Sequence, residues 1–331
     1  VQSQSIQIED KIYDAIIIGG GPAGISCALE LSYCDIECMV ICREERLGGQ
    51  LWDIRGELLN LACGYFESAG MLAQQMEKLT KRTNIQIVRN KTVDKIDARN
   101  KLVFCGEETF KAKTILVSTG LRLKQLELHN STNLQQDILY RDDTNVSAYA
   151  NLRVAVIGGG DNALMKAIEL AEIAQKVYLI NRTNKWRARS AFVGAAKENE
   201  RIEILENTEL KDLTGESTLR GAILVSRSAS ENAAERINES GAAASTERTI
   251  LIDKIFVKIG YVPNTEPFKG QVAMNESGYL LVDQKRRTGA PGIYAAGDIL
   301  SDTCPRIATA CGDGSLAAES IQIYLGKRLT P

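Results

Sequence analysis

The chain has 331 residues, with 40 basic against 42 acidic side chains and a formal net charge of −2. That length allows two domains with separate cores, and a near-balance of charge without a basic stripe argues against nucleic acid as a partner. No apolar run approaches the ~18 residues of a membrane span, and the polar, acidic opening at 1–10 reads as neither signal nor transit peptide, so the expectation is a cytoplasmic protein with peripheral membrane contact left open.

A strand pattern at 12–19 runs into Gly19-x-Gly21-x-x-Gly24, and a helix pattern covers 22–32. The first glycine allows a tight turn, the second lets backbone approach a pyrophosphate, and the third lets helix pack close on strand. The helix start then offers free N–H groups and the positive end of its dipole to an anion. Residues 36–43 read as a second strand. In such a unit an acidic residue ~20 positions beyond the glycines takes the ribose hydroxyls; Glu44, or Glu45 beside it, is the candidate. An amphipathic helix at 67–82 follows. Short strands at 84–88, 91–97 and 102–105 have hairpin-like spacing, and a strand over 112–120 ends in the turn Thr119-Gly120.

A strand from Val154 then meets a second fingerprint, Gly158-x-Gly160-x-x-Ala163, with alanine in third place. The offset is 158 − 19 = 139 residues, about one domain, so two dinucleotide-binding folds are expected. After the strand 176–180 come three cations that suit a phosphate, Arg182, Lys185 and Arg187, with Trp186 between the last two. The Trp186 ring either stacks on a nucleotide base or packs against its own domain.

The eight cysteines are 27, 34, 38, 42, 63, 105, 304 and 311. No paired Cys-x-x-Cys of zinc-site spacing occurs, so no metal is expected. Cys27, Cys38 and Cys42 fall on helix or strand positions and read as buried filler. His129 is the only histidine, in a polar segment, and a histidine-based acid–base mechanism is not expected.

The strand–GGGPAG–helix at the start, the GGQL at 48–51, the Ser118-Thr119-Gly120 turn, the second GGGDNA at 158–163, the segment 259–265 and Gly292 to Asp298 follow one another in an order that resembles low-molecular-weight thioredoxin reductase over nearly the whole chain. The resemblance implies an α/β fold of two Rossmann-like, three-layer nucleotide-binding domains. It implies a discontinuous FAD domain, 1–122 plus 252–331, and an inserted NADP-type domain, 123–251. It implies a homodimer. For FAD it points to Gly19, Gly21, Gly24, Glu44, Gln50, Asn60, Thr119 and Gly120, with Asp298 on the ribityl chain. Arg306 and Ile307 match the helix start that faces the flavin pyrimidine. Gly297 would let the chain turn beneath the ring.

Three departures from that family refine the expectation. The positions of its Cys-x-x-Cys hold Arg141, Asp142, Asp143 and Thr144, which carry no electrons. One arginine of its 2′-phosphate clamp is Thr183. Cysteines stand at 304 and 311 beside the flavin-facing helix start, with Cys63 nearby. The pattern is closest to the diflavin-linked disulfide oxidoreductases, which lack the usual Cys-x-x-Cys. That resemblance implies a second FAD at Gly158, Gly160, Ala163, Arg182, Trp186 and Arg187, with NADPH the alternative occupant. It also implies a dithiol or disulfide redox partner. Cys304 and Cys311 are the expected redox pair, Cys304 the more reactive and Cys311 the more buried. Seven residues along one helix separate Cα atoms by ~10.5 Å, and a disulfide needs ~4.4–6.8 Å. That pair therefore requires Cys304 to lie before the helix, with Arg306 as its N-cap; Cys63 is the fallback partner. The competing readings are a thioredoxin reductase-like ferredoxin–NADP reductase, disfavoured by Thr183 and by a chain that stops at 331 without a covering extension, and a non-catalytic flavoprotein redox sensor.

Overall fold

The computed structural model describes residues 7–54, 56–128, 132–141, 145–227 and 245–327. His129, and Asp142, Asp143 and Thr144 of the four positions aligned with the family's dithiol motif, lie outside them. The chain divides into two units, residues 1–122 with 262–331, and residues 123–261.

The first unit is built on β1 (Gln7–Ile18), α1 (Pro22–Tyr33), β2 (Cys38–Ile41), α2 (Ala69–Thr80), β3 (Gln86–Val88), β4 (Lys95–Asp97), β5 (Leu102–Cys105) and β6 (Glu108–Val117). Its sheet runs β3-β2-β1-β6-β5-β4, and a late strand, Ile293–Ala295, pairs parallel with the end of β6. β3 joins parallel to β2, so only β4 and β5 form the expected hairpin. The 84–88 segment leaves a helix on one face and is fed back parallel, as a βαβ crossover requires.

Side chains of β1 alternate between two cores. Ile16 and Ile18 pack with Val103, Phe110 and Leu280 on one face, and Ala15 and Ile17 with α1 and the C-terminal helix on the other. The central strands therefore read as continuous Val/Ile/Leu runs, as sheets covered on both faces do. Burial raises the Cys38 thiol to about 12, and with Cys27 raised well above its ordinary value the two behave as packed apolar groups.

β7 (Leu121–Leu123) leaves the first unit. The second holds β8 (Ile138–Leu139), β9 (Arg153–Ile157), α3 (Asp161–Ala171), β10 (Lys176–Ile180), α4 (Ser190–Glu198), β11 (Ile202–Leu205), β12 (Thr208–Thr214), β13 (Gly221–Arg227), β14 (Ser245–Leu251) and β15 (Lys254–Val257). Its parallel sheet runs β11-β10-β9-β15-β8, and β12-β13-β14 form a separate antiparallel sheet. The expected return to the first unit at 252 is corrected here. β15 pairs with β9 and β8, so the inserted unit keeps the chain to Tyr261, where β16 (Tyr261–Pro263) begins. β17 (Ile293–Ala295) and α5 (Ile307–Tyr324) complete the first unit. No described helix is long and apolar enough to cross a membrane.

Candidate functional site: two glycine turns and a thiol-bearing helix

In each of these two sheets the strand that leads into the glycine turn pairs parallel with a strand that follows it directly and one that arrives later, β2 and β6 around β1, β10 and β15 around β9. That reversal opens a crevice at the strand ends. Gly19 sits there with φ +118°, and a Cβ on it would lie 2.3 Å from the Ser118 carbonyl oxygen. A Cβ on Gly24 would lie 2.1 Å from the Gly19 carbonyl oxygen. A Cβ on Gly21 would meet no atom within 4 Å. The first and third glycines are thus required by the protein's own packing, and the second leaves open space before the helix start. Gly21 is the N-cap of α1, and no side chain caps it. An open, uncapped helix start beside a glycine without a Cβ fits a pyrophosphate.

The GGQ segment closes on this turn. Gly49 has φ +52°, and its Cβ would come 3.3 Å from the Gly21 Cα. Gln50 donates through Nε2 to the Leu121 carbonyl at 3.0 Å. Thr119 donates through Oγ1 to the Asn264 carbonyl at 2.7 Å, and Asn264 Nδ2 returns a bond to the Thr119 carbonyl at 2.9 Å, which fixes the Thr119-Gly120 turn. Glu44 stands exposed just after β2, with Arg43 Nε and Nη2 donating to its Oε1 at 3.0 and 2.7 Å. Asn60 is exposed in a turn, and no hydrogen bond ties it to the glycine turn among the described residues.

Gly297 has φ +82°, and a Cβ there would lie 2.9 Å from the Ala23 Cβ. The chain therefore passes against the start of α1 and places Asp298 beside it. The half-buried Asp298 carboxylate has no hydrogen bond or ion pair among the described residues. Its pKa is raised above 3.8 by burial and by the charge of Asp313, with Arg306 opposing. A desolvated acid without a donor, next to an open helix start, fits a ligand hydroxyl. α5 begins at Ile307 with Arg306 as its extended N-cap.

The sequence reading missed Asp313, on the second turn of α5 and 2% exposed. Its Oδ1 accepts from Arg286 Nε at 2.9 Å and Nη2 at 2.6 Å, and its Oδ2 accepts from the Gly297 amide at 3.2 Å. Arg286 thus fixes the carboxylate through Oδ1 alone, which leaves Oδ2 to hold the Gly297 turn in place. The available signal was an acid between two glycines in a helix, Gly312-Asp313-Gly314. Gly314 lets α5 approach α1, since a Cβ there would lie 2.2 Å from the Ala23 carbonyl oxygen.

All eight cysteines are free thiols. Cys304 is exposed in the non-helical stretch before α5, and Cys311 is half-buried on its second turn. The Cys311 carbonyl accepts from Ser26 Oγ of α1 at 2.9 Å. Burial raises the Cys311 thiol pKa, and the neighbouring charge that adds to this belongs to Cys63 rather than Cys304.

The second turn repeats the first. Gly158 has φ +144° with a Cβ position 2.3 Å from the Lys258 carbonyl oxygen, and Gly160 opens on empty space. Ala163 occupies the third place, fully buried. The loop after β10 closes on it: Asn181 fills the space at Gly159, and the Arg187 amide donates to the Gly159 carbonyl at 2.8 Å. Thr183 Oγ1 bonds the Lys185 backbone within that loop. Arg182, Lys185 and Arg187 are exposed and without an ion-pair partner among the described residues. Of the two alternatives for Trp186, the packed one describes its surroundings. Its indole nitrogen donates to Glu206 Oε1 at 2.8 Å, and its ring packs on the core beneath α3 and α4. A half-buried indole with its N–H satisfied is committed to its own unit.

Two such turns, each at a sheet's reversal point, with an unpartnered acid and a thiol-bearing helix at the first, define an FAD-dependent oxidoreductase of the dinucleotide-binding kind. The chain belongs to the pyridine nucleotide-disulphide oxidoreductase family, whose profile matches residues 13–314. It is 30% identical over 321 residues to a thioredoxin reductase of Listeria monocytogenes, covering 96% of this chain and 95% of that one. It is 28% identical over 319 residues to a thioredoxin reductase of Peptoclostridium acidaminophilum, covering 96% and 98%. In fold it is similar to the thioredoxin reductase of Lactococcus lactis in its FR conformation, with a TM-score of 0.76 at 23% identity, covering 96% of this chain and 100% of that one.

Proposed function

We propose that this thioredoxin reductase-like flavoprotein exchanges electrons between FAD and a cysteine disulfide/dithiol carried by its own FAD unit. In this reading it is not an NADPH–thioredoxin reductase, and it holds two FAD per subunit of a homodimer. The supporting observation is Cys311, which is bonded through its carbonyl to α1 one residue beyond Ala310, itself packed at the Gly297 turn. A thiol stands beside the flavin cradle, while Arg141 and its neighbours replace the family's dithiol in the inserted unit.

The first FAD would be held by the open start of α1 at Gly21, by the Gly49–Gln50 turn, by Asp298 and by the start of α5. When bound, it supplies a two-electron carrier. This chain's residues orient it and exclude water. Asp298 accepts from a hydroxyl, and the first amides of α5 favour negative charge. Cysteine thiolates carry the exchange with a dithiol or disulfide partner. The second FAD would lie on the open start of α3, its phosphates offset by Arg182, Lys185 and Arg187. Supporting FAD over NADPH there is Thr183, whose hydroxyl is spent inside its own loop and which leaves a 2′-phosphate with one guanidinium fewer.

Nucleotides released on denaturation test this reading. Two FAD per chain is the expected result. One FAD, with rapid flavin bleaching on anaerobic mixing with NADPH, would sink it and place a pyridine nucleotide at the second turn.

A further inference from the structure

We propose that Cys63 and Cys311 are the two thiols that exchange with an external disulfide, Cys63 as the attacking thiol and Cys311 as the resolving one. This assignment rests on the disulfide-exchange reading above and replaces Cys304 in it.

The segment 58–66 is a short closed loop. The Leu58 amide donates to the Phe66 carbonyl at 3.0 Å, and the Gly64 amide to the Leu61 carbonyl at 3.5 Å, which puts Cys63 in the tight turn at its tip. The walls of the loop are anchored: Leu58, Leu61 and Phe66 pack in one cluster with Ile307 and Cys311 of α5. The loop and the first two turns of α5 therefore contribute to one apolar cluster, with one thiol from each side. Cys63 is exposed and Cys311 half-buried. The electrostatic influence of Cys63 on Cys311 agrees with that placement. Cys304 is not part of that cluster and is exposed in the stretch whose Thr303 hydroxyl donates to Asp313 at 3.4 Å.

Exposure decides the order of attack. The Cys63 thiolate attacks one sulfur of the external disulfide, that S–S bond breaks, and one substrate thiolate leaves. Cys311 then gives up its proton and attacks Cys63 Sγ. The Cys63–Cys311 bond forms and the second substrate thiolate departs. The two substrate thiolates take up the two cysteine protons. Two cysteine thiols are oxidised and one external disulfide is reduced to two thiols.

The test uses the holoprotein with oxidised glutathione as the probe, followed by alkylation, tryptic digestion and mass spectrometry. Cys63, Cys304 and Cys311 fall on separate tryptic peptides, 56–78, 288–306 and 307–327. The expected product is a 56–78/307–327 disulfide, unchanged in Cys304→Ser. Cys311→Ser should instead accumulate a glutathione adduct on Cys63, and Cys63→Ser should leave Cys311 largely alkylated, with at least a ~10-fold loss of oxidation rate. A 288–306/307–327 disulfide, or Cys311 oxidised at the parent rate in Cys63→Ser, overturns the assignment. Failure of the functional reading looks different. The Cys63–Cys311 bond would form, yet a dithiol would leave the flavin absorbance of the parent unchanged.

Discussion

At the end of β1 the Gly19 amide bonds to the Ile41 carbonyl at 2.9 Å and the Ser118 amide to the Ile18 carbonyl at 2.8 Å. At the end of β9 the Gly158 amide bonds to the Ile180 carbonyl at 3.0 Å and the Lys258 amide to the Ile157 carbonyl at 2.8 Å. The two turns are the same piece of backbone, each with one glycine at positive φ and one facing open space. Their surroundings differ. The first is followed by Pro22 and carries no acid in the first helical turn. The second begins its helix with Asp161, whose carboxylate takes the Arg189 amide at 2.8 Å and its Nε at 2.9 Å. Backbone geometry thus sets where a pyrophosphate can lie. Side chains set the charge it meets, which is neutral at the first turn and a carboxylate offset by surrounding cations at the second.

The sharpest way to break this comparison is to fill the open glycine of each turn separately. Because a Cβ at Gly21 or Gly160 meets nothing within 4 Å, both valine variants should fold. Gly21→Val should lower affinity for the first FAD at least ~100-fold, read as flavin per chain after purification. Gly160→Val should keep that flavin and lose only the second nucleotide. Full FAD content in Gly21→Val would show that the first turn is not the site.

The third place separates the turns by packing. Gly24→Ala drives a Cβ to 2.1 Å from the Gly19 carbonyl oxygen, a backbone clash that should cost about 3 kcal/mol or more. Ala163→Gly should cost only about 1 kcal/mol, the ordinary penalty in a helix. Urea midpoints measure both, and equal losses would show that the two helices approach their strands equally closely.

Charge is the third axis. Thr183→Arg restores a guanidinium near Arg182 and should tighten NADPH binding roughly 10-fold, about 1.4 kcal/mol. Titration of the variant against the parent decides this; no change would show that the loop bonds of Thr183 do not control nucleotide choice.

The smallest effect concerns Asp298. Its folded pKa is raised above 3.8, chiefly by burial, so the folded state holds the proton more tightly than the unfolded chain. The ionised group therefore destabilises the apoprotein fully above the folded pKa, and the penalty fades as pH falls toward 3.8. Asp298→Asn should raise the apoprotein Tm by a few degrees at pH 7 and by nothing in acid, while weakening FAD retention. A gain of equal size at both pH values would show that the carboxylate's ionisation is not the cause.

What the sequence made legible follows from how local each requirement is. The glycine turns depend on a few neighbouring residues and were readable, whereas the start of α5 at Ile307 and the turn at Gly297 were expected only through the family resemblance. Pairings between distant segments were not. β3 was read into a hairpin because spacing alone does not say which strand it joins. The boundary at 252 was early because β15 looks like any buried strand until β9 is beside it. Asp313 and Arg286 are 27 residues apart, and neither belongs to a fingerprint. Trp186 shows the same limit, since its partner Glu206 lies 20 residues on.

The division of the chain also sets an order of assembly. Residues 123–261 are contiguous and complete their core from local segments, whereas the first unit waits for β17 and α5 from beyond residue 262. During synthesis the insert can close while the face of α1 that α5 will cover, with Ala23, Cys27, Ala28 and Leu31, still lies bare. A chain ending before β17 should resist protease in the insert and be cleaved in 1–122; protection of both would refute that order. The nascent protein therefore passes through a stage in which the first glycine turn is already made but its helix has no partner. Chaperone capture has its opening at that stage, and flavin loading becomes a late event in the life of the chain.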